Sequence, residues 1–141
     1  MVDQMQIVEL DDSTDDRGFS FSLLREHLGL IDTIRDVHIA EIRPGAVRGN
    51  HYHAHRRELI AVVFTGRWSV HWDTGEGTEV HQRSFEGRGA VAVVPPRGWS
   101  HAVRNDGDDS MWIYAASDAA YDRHDPDPVA RDAVRRLVVR P

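Results

Sequence analysis

The chain has 141 residues, 23 acidic against 17 basic side chains, a formal charge of −6 and no cysteine. That length suits one domain, 1–141, large enough to bury its own core. The acidity argues against long nucleic acid as a partner, because phosphate binding needs a basic surface. The missing cysteine excludes disulfides, zinc–thiolate sites and thiol nucleophiles.

Residues 1–35 read as an N-terminal strand and arm. Met1-Val2-Asp3-Gln4 has no basic region leading into an apolar stretch, so no signal peptide is expected. Residues 5–10 alternate apolar and polar, as a half-buried edge strand does. Asp and Gly over 11–18 supply turn chemistry. Residues 19–30, with Leu23, Leu24 and Leu28 ahead of Gly29, predict a short helix or packing arm.

Residues 36–118 change character. Short strand-like runs at 37–42, 59–64, 67–72, 80–85, 90–94, 101–103 and 111–115 are separated by Gly, Pro, Asn and Asp clusters. Such spacing predicts an all-β barrel or sandwich. The longest apolar run, 59–64, is far too short to span a bilayer. A soluble, cytoplasmic protein with no membrane partner is the expectation. In the tail, 119–141, Asp127 suits a helix N-cap and Pro128 the first helical position. Val129, Ala133 and Leu137 then share a face, predicting a C-terminal helix.

Four residues suggest chemistry. His51 and His53 are two apart, so on an extended chain they point to one side. Glu58 follows, and His101 comes later inside a Pro/Gly-punctuated strand pair. Three imidazoles and a carboxylate suit one divalent first-row ion per chain, Zn, Fe, Mn or Ni, with coordination positions open. The plainer reading keeps the histidines without a metal. His55 continues the same parity but falls in the expected turn, where a solvated role is commoner.

Other residues are candidates for work beside the ion. His38 and Glu41 lie on one run with opposite parity, so only one of them faces a cavity; either is a general acid or base if held near the metal, and each taken alone reads more simply as a surface residue. His71 and Asp73 share parity across Trp72, as an oriented acid/base pair or a plain surface pair would. Tyr114 is a further proton-transfer candidate. Trp68, Trp72, Trp99 and Trp112 are core or cavity wall, with Trp99 and Trp112 as substrate-binding candidates. Arg43, Arg48, Arg97 and Arg104 flank the metal-motif segments. Arg43 and Arg48 are candidates for an anionic substrate group, which guanidinium forks bind bidentately, although in a chain with 28% charged residues all four also read as ordinary surface.

These segments resemble the two motifs of the cupin superfamily. Gly45, His51, His53 and Glu58 match the first in full, with Gly66 one residue late. Gly98, His101 and Asn105 match the second, with one extra residue between Gly89 and Gly98. The resemblance implies a double-stranded β-helix, or jelly-roll barrel, with short N-terminal and C-terminal helices, and a homodimer. Arg48-Gly49-Asn50-His51-Tyr52-His53 looks like the signature of small cupins that act on nucleotide-linked deoxysugars. These include dTDP-hexose ketoisomerases and the cupin domains of capsular-polysaccharide enzymes. Asp16-Arg17-Gly18, residues 95–105, and Tyr121 followed by Asp125-Pro126-Asp127 look like the capsular type. Glu58 stands where metal-free ketoisomerases usually carry a Gln-like residue, and so supports a metal. The resemblance therefore implies a metal-dependent isomerase or epimerase of a small oxygenated substrate, such as a nucleotide-linked keto-sugar. Its competitors are an Fe(II)-dependent dioxygenase, a zinc cyclase or dehydratase of polyketide-type secondary metabolism, and a non-catalytic sugar-binding module.

Overall fold

The seven short runs become strands, and the His51–His53 segment adds an eighth, all antiparallel: β4 (Asp36–Ile42), β5 (Val47–His53), β6 (Glu58–Phe64), β7 (Trp68–Asp73), β8 (His81–Phe85), β9 (Gly89–Val94), β10 (Ser100–Asn105) and β11 (Met111–Ser117). Ahead of them come β1 (Gln6–Glu9), β2 (Asp11–Asp12), β3 (Phe21–Ser22) and α1 (Arg25–Leu28); β12 (Pro128–Ala130) follows. The structure is a computed structural model that describes residues 4–31, 33–120 and 128–130, the last three through the backbone alone.

Two five-stranded sheets face each other, in the orders β1-β9-β6-β11-β4 and β12-β5-β10-β7-β8. From β4 to β11 the chain passes repeatedly from one sheet to the other, with only β7–β8 joined as neighbours within a sheet. This is the jelly-roll barrel of a cupin.

Alternation decides what fills it. Ile60, Val62 and Phe64 of β6 meet Trp68 and Val70 of β7, Val103 of β10, and Ile113 and Ala115 of β11 in the space between the sheets. The other side of β6, Leu59 and Ala61, packs with Ile31, Ala92, Val94 and Ala116 beneath Val8, Leu10, Leu23 and Leu30 of the N-terminal arm. β6 is thus covered on both faces, which explains why 59–64 is a continuous apolar run rather than an alternating one.

The N-terminal segment forms its strand, β1, against β9. The helix expected over 19–30 is confined to the single turn of α1. Upstream of it, Phe21–Ser22 pairs with Asp11–Asp12, and the Ser13 hydroxyl donates to the Ser20 carbonyl at 3.2 Å. The C-terminal helix needs correction where it was to begin. Pro128–Ala130 is extended and pairs antiparallel with β5, in register with His53, Tyr52 and His51. Pro is tolerated at the start of an edge strand, and the open edge of β5 offers hydrogen bonds that outweigh a local helix-start signal. The rest of that helix, 131–141, lies outside the described residues, as does Asp127.

Asn105, 2% exposed, ties the far end of the barrel. Its Nδ2 donates to the carbonyls of Ile42 (2.8 Å) and Asp109 (2.7 Å), and its Oδ1 accepts from the Gly107 N–H (2.9 Å). Asn105→Ala is expected to lower unfolding free energy by about 2–4 kcal/mol, because buried partners lose their bonds. Chemical denaturation checks this.

Candidate metal centre

β5, β6 and β10 deliver the four motif residues to one place. One donor atom from each of His51, His53, Glu58 and His101 lies within 4.8 Å of the others. The His51 ring centroid stands 4.7 Å from that of His53 and 5.0 Å from that of His101. Glu58 lies between imidazoles: Oε2 is 3.6 Å from His53 Nε2, and Oε1 is 3.6 Å from His101 Nε2. Both distances are too long for a hydrogen bond. They match two donors on a shared ion, which at roughly 2.1 Å each and a tetrahedral angle stand about 3.4 Å apart.

The orientation of His101 tests the fit further. Its Nδ1 is 3.2 Å from the Trp99 carbonyl. A carbonyl only accepts, so Nδ1 carries the proton, and in the neutral ring Nε2 holds a lone pair. That Nε2 is buried without a hydrogen bond and faces a carboxylate oxygen. Burial alone pushes the Glu58 carboxyl up, but the imidazole of His101, with His53 and His51 behind it, outweighs burial and holds it at about 2. The carboxylate is therefore ionised at neutral pH. A buried carboxylate beside an imidazole nitrogen that makes no hydrogen bond calls for positive charge between them, and the donor set fits a divalent ion. The carbonyl behind His101 is the outer partner that metal-bound histidines usually have.

The loops around the quartet are braced. Asp118, on the chain just after β11, accepts from the Arg57 N–H at 2.8 Å and from Arg97 Nη2 at 2.6 Å. Arg97 Nε donates to the His55 carbonyl at 2.9 Å, and the Gly98 N–H donates to the His53 carbonyl at 2.9 Å. The turn between His53 and Glu58 is thereby fixed to the turn before His101. Sequence reading placed Arg97 beside the site but had no signal for Asp118, because the brace exists only once three loops meet. Asp118→Ala is expected to weaken ion affinity by about 10-fold while the protein stays folded; titration calorimetry with Zn²⁺ checks it.

Register separates the remaining candidates by face, since directly opposed residues share one. His38 is opposite Ala115, which is opposite Ile60, and both of these belong to the interior. Glu58 itself is opposite Ser117 at the same end of β6. His38 therefore stands on the inner side of β4 at the quartet's end, and it is solvent-exposed. Glu41 has the other parity and is ion-paired with Arg43 at 3.5 Å; Arg43 follows the far end of β4. Tyr114 and Trp112, 43% and 48% exposed, alternate with the interior Ile113 and Ala115 and so lie on the outer face. The structure does not bring Glu41, Arg43, Tyr114 or Trp112 to the quartet.

His71 alternates with the interior Trp68 and Val70, so it too faces outward, and its Nε2 lies 2.9 Å from Ser69 Oγ. Burial, then the Arg104 charge, lowers its pKa against an opposing pull from Asp106. The inner side at that level belongs to Trp72, in register with His101 and stacked on His81 with centroids 5.7 Å apart. Trp72, by its parity with Trp68 and Val70, and Trp99, through its carbonyl, are the tryptophans next to the quartet. His55 is exposed in the turn. A cavity of about 600 Å³ lined by Arg67, Trp68, Phe85 and Arg104 opens at the other end of the barrel, near Asn105.

Residues 13–129 match the polysaccharide biosynthesis C-terminal domain family. The chain belongs to that family. The chain is also 30% identical over 98 residues to a UDP-2-acetamido-2,6-β-L-arabino-hexul-4-ose reductase of Pseudomonas aeruginosa, covering 62% of this chain and 23% of the reductase. The capsular polysaccharide assembling protein CapF of Staphylococcus aureus superposes with a TM-score of 0.61 at 24% identity, over 84% of this chain and 31% of CapF. QdtA, a sugar 3,4-ketoisomerase of Thermoanaerobacterium thermosaccharolyticum solved in complex with TDP, gives 0.69 at 12% identity, over 94% and 92% of the two chains. The chain thus spans less than a third of the length of the reductase and of CapF, 23% and 31% respectively. These likenesses establish the cupin fold. No helix among the described residues is long and apolar enough to cross a membrane.

Proposed function

We propose that this protein is a metal-dependent sugar isomerase or epimerase acting on a nucleotide-linked keto-sugar. The observation that carries the reading is the placement of His38, exposed on the inner side of β4 at the same end of the barrel as the His51–His53–Glu58–His101 quartet. A divalent ion held by the quartet supplies Lewis acidity toward a carbonyl oxygen. His38 takes the proton from the carbon next to that carbonyl. Passing that proton to the former carbonyl carbon, while the hydroxyl proton moves between the two oxygens, isomerises the sugar; delivery of a proton to the opposite face of the same carbon by a second donor, such as water at the mouth, epimerises it. Arg48, whose Nε donates to the Glu41 carbonyl at 2.8 Å, is held from one side, and its terminal nitrogens serve an anionic group. Trp72, in register with His101, supplies an apolar wall beside the ion. The UDP-linked hexulose in the reductase's name and the TDP in the QdtA structure support a nucleotide sugar as substrate.

The test is solvent exchange. Zn²⁺- or Mn²⁺-loaded protein is incubated in D₂O, without oxygen, with UDP- and dTDP-linked 4-keto-6-deoxyhexoses, and mass spectrometry reads deuterium next to the carbonyl. Metal-dependent exchange supports the reading. Full exchange in metal-free protein makes His51 and His53 the proton carriers instead, and a strict need for Fe²⁺ and dioxygen selects the oxygenase. No exchange with any sugar overturns it.

The same reading includes a homodimer. Val37 (59% exposed), Ile39 (56%), Trp112 and Tyr114 form an apolar outer face on neighbouring strands β4 and β11, of a kind that marks interaction surfaces. Trp112→Glu is expected to shift a sedimenting dimer to monomer. A wild-type protein that sediments as monomer at micromolar concentration ends the dimer proposal.

A further inference from the structure

Strand β5 does not run straight into the site. Against β10 its register is Val47↔Arg104, Arg48↔Val103, Gly49↔Ala102, then His51↔His101, so one step on β10 spans two on β5 and Asn50 is the extra residue. Asn50 has φ +59°, the one non-glycine with positive φ among the described residues, and it follows Gly49 at φ +96°. A side chain cannot be added at Gly49: its Cβ would sit 2.7 Å from the His101 carbonyl oxygen and 3.2 Å from Ala102 Cα. Two consecutive positive φ values and a backbone contact this close define a bulge that only Gly followed by Gly, Asn or Asp accommodates without strain.

The consequence is one of parity. In an uninterrupted strand, Arg48 and His51, three apart, point to opposite faces. Here Arg48 lies opposite Val103, and His51 lies opposite His101. Val103 belongs to the interior, and His101 carries the quartet's buried donor. The extra residue therefore puts Arg48, His51 and His53 all on the inner side of one strand, and Arg48 reaches across to the Glu41 carbonyl on the opposite sheet.

We propose that Gly49-Asn50 is a positioning element: its bulge resets the face of β5 so that the strand presents both an anion-holding guanidinium and two metal-ligating imidazoles to the same chamber. Asn50 and Gly49 touch neither ion nor substrate in this role; they act through His51 and Arg48. The ion-affinity part rests on the metal-centre reading above, whereas the facing of His51 toward His101 does not.

The experiment uses the full chain and four variants: Asn50→Gly, Asn50→Asp, Asn50→Val and Gly49→Ala. Circular dichroism first establishes which are folded. Co²⁺ is then titrated in, with affinity and the visible d–d spectrum as readouts, and a ¹³C-edited NOE spectrum of metal-free protein reports contact between the His51 and His101 rings, 5.0 Å apart. Asn50→Gly and Asn50→Asp, which tolerate positive φ, should keep affinity within about threefold with an unchanged spectrum. Asn50→Val, β-branched, should lose at least about 10-fold in Co²⁺ affinity, change the spectrum and lose the ring NOE; Gly49→Ala should do the same. If Gly49→Ala does not fold, the Asn50→Val against Asn50→Gly comparison decides. Folded Asn50→Val with wild-type spectrum and NOE overturns the proposal. If wild-type protein binds no Co²⁺, the metal reading fails, and the NOE comparison alone still decides whether the bulge sets the face of His51.

Discussion

Replacing His51 and His53 together by alanine is expected to abolish bound metal, with less than about one thousandth of wild-type affinity remaining. Changing an outer partner of a ligand typically costs 10–100-fold, and this variant removes two of the four donors themselves. Only His101 and Glu58 remain, and a carboxylate with one imidazole cannot complete a site on a first-row ion against water. The barrel should survive. Its interior cluster of Ile42, Ile60, Val62, Trp68, Val70, Val93, Val103 and Ile113 contains neither histidine, and a chain of this length builds a core without a metal staple. Elemental analysis of purified variant and wild type reads the first expectation, and far-ultraviolet circular dichroism of metal-free protein reads the second. Unchanged metal loading in the double variant would remove the quartet as the metal centre.

His38→Asn is expected to keep the metal and lose turnover, by about 10²–10⁴-fold in kcat, the usual contribution of a positioned general acid or base. Its side chain is exposed and contributes nothing to the interior, so stability should change by no more than about 0.5 kcal/mol. Three comparisons sharpen the result. Glu41→Gln and Tyr114→Phe change groups on the outer face of β4 and β11 and should leave kcat within about twofold. His71→Asn changes a buried outward-facing group, so its effect should fall on stability before activity. The measurement is initial rate of solvent-deuterium exchange together with metal content. Wild-type kcat in His38→Asn would move the proton-transfer role to another residue at the mouth. Loss of metal in that variant would make His38 part of the ion's surroundings rather than a proton carrier.

The two regions of the chain differ in how much their residues say alone. The all-β character followed from the punctuated runs after Val37, because Gly, Pro and Asn clusters mark turns wherever they stand. The quartet was legible too, since His51 and His53 share a face on any extended strand and the spacing to Glu58 and His101 matches two cupin motifs. Composition carried the absence of thiol chemistry outright. The tail misled, because Asp127-Pro128 is a good local helix start, but the open edge of β5 lay far away in sequence and made Pro128–Ala130 a strand. The candidate acid/base pair, His38 and Glu41, was resolved only by pairing: parity says that one faces inward, and the register through Ala115 to Ile60 says which. Tyr114 and Trp112 were placed outside for the same reason. The bulge at Asn50 shows the limit most sharply. Counting by twos from His51 puts Arg48 on the wrong face, and only the contact of Gly49 with the backbone of His101 on another strand reverses it. Local sequence determines what a residue can do and which neighbours share its side of a strand; the sheet partner, fixed by contacts distant in sequence, determines which side is the inside.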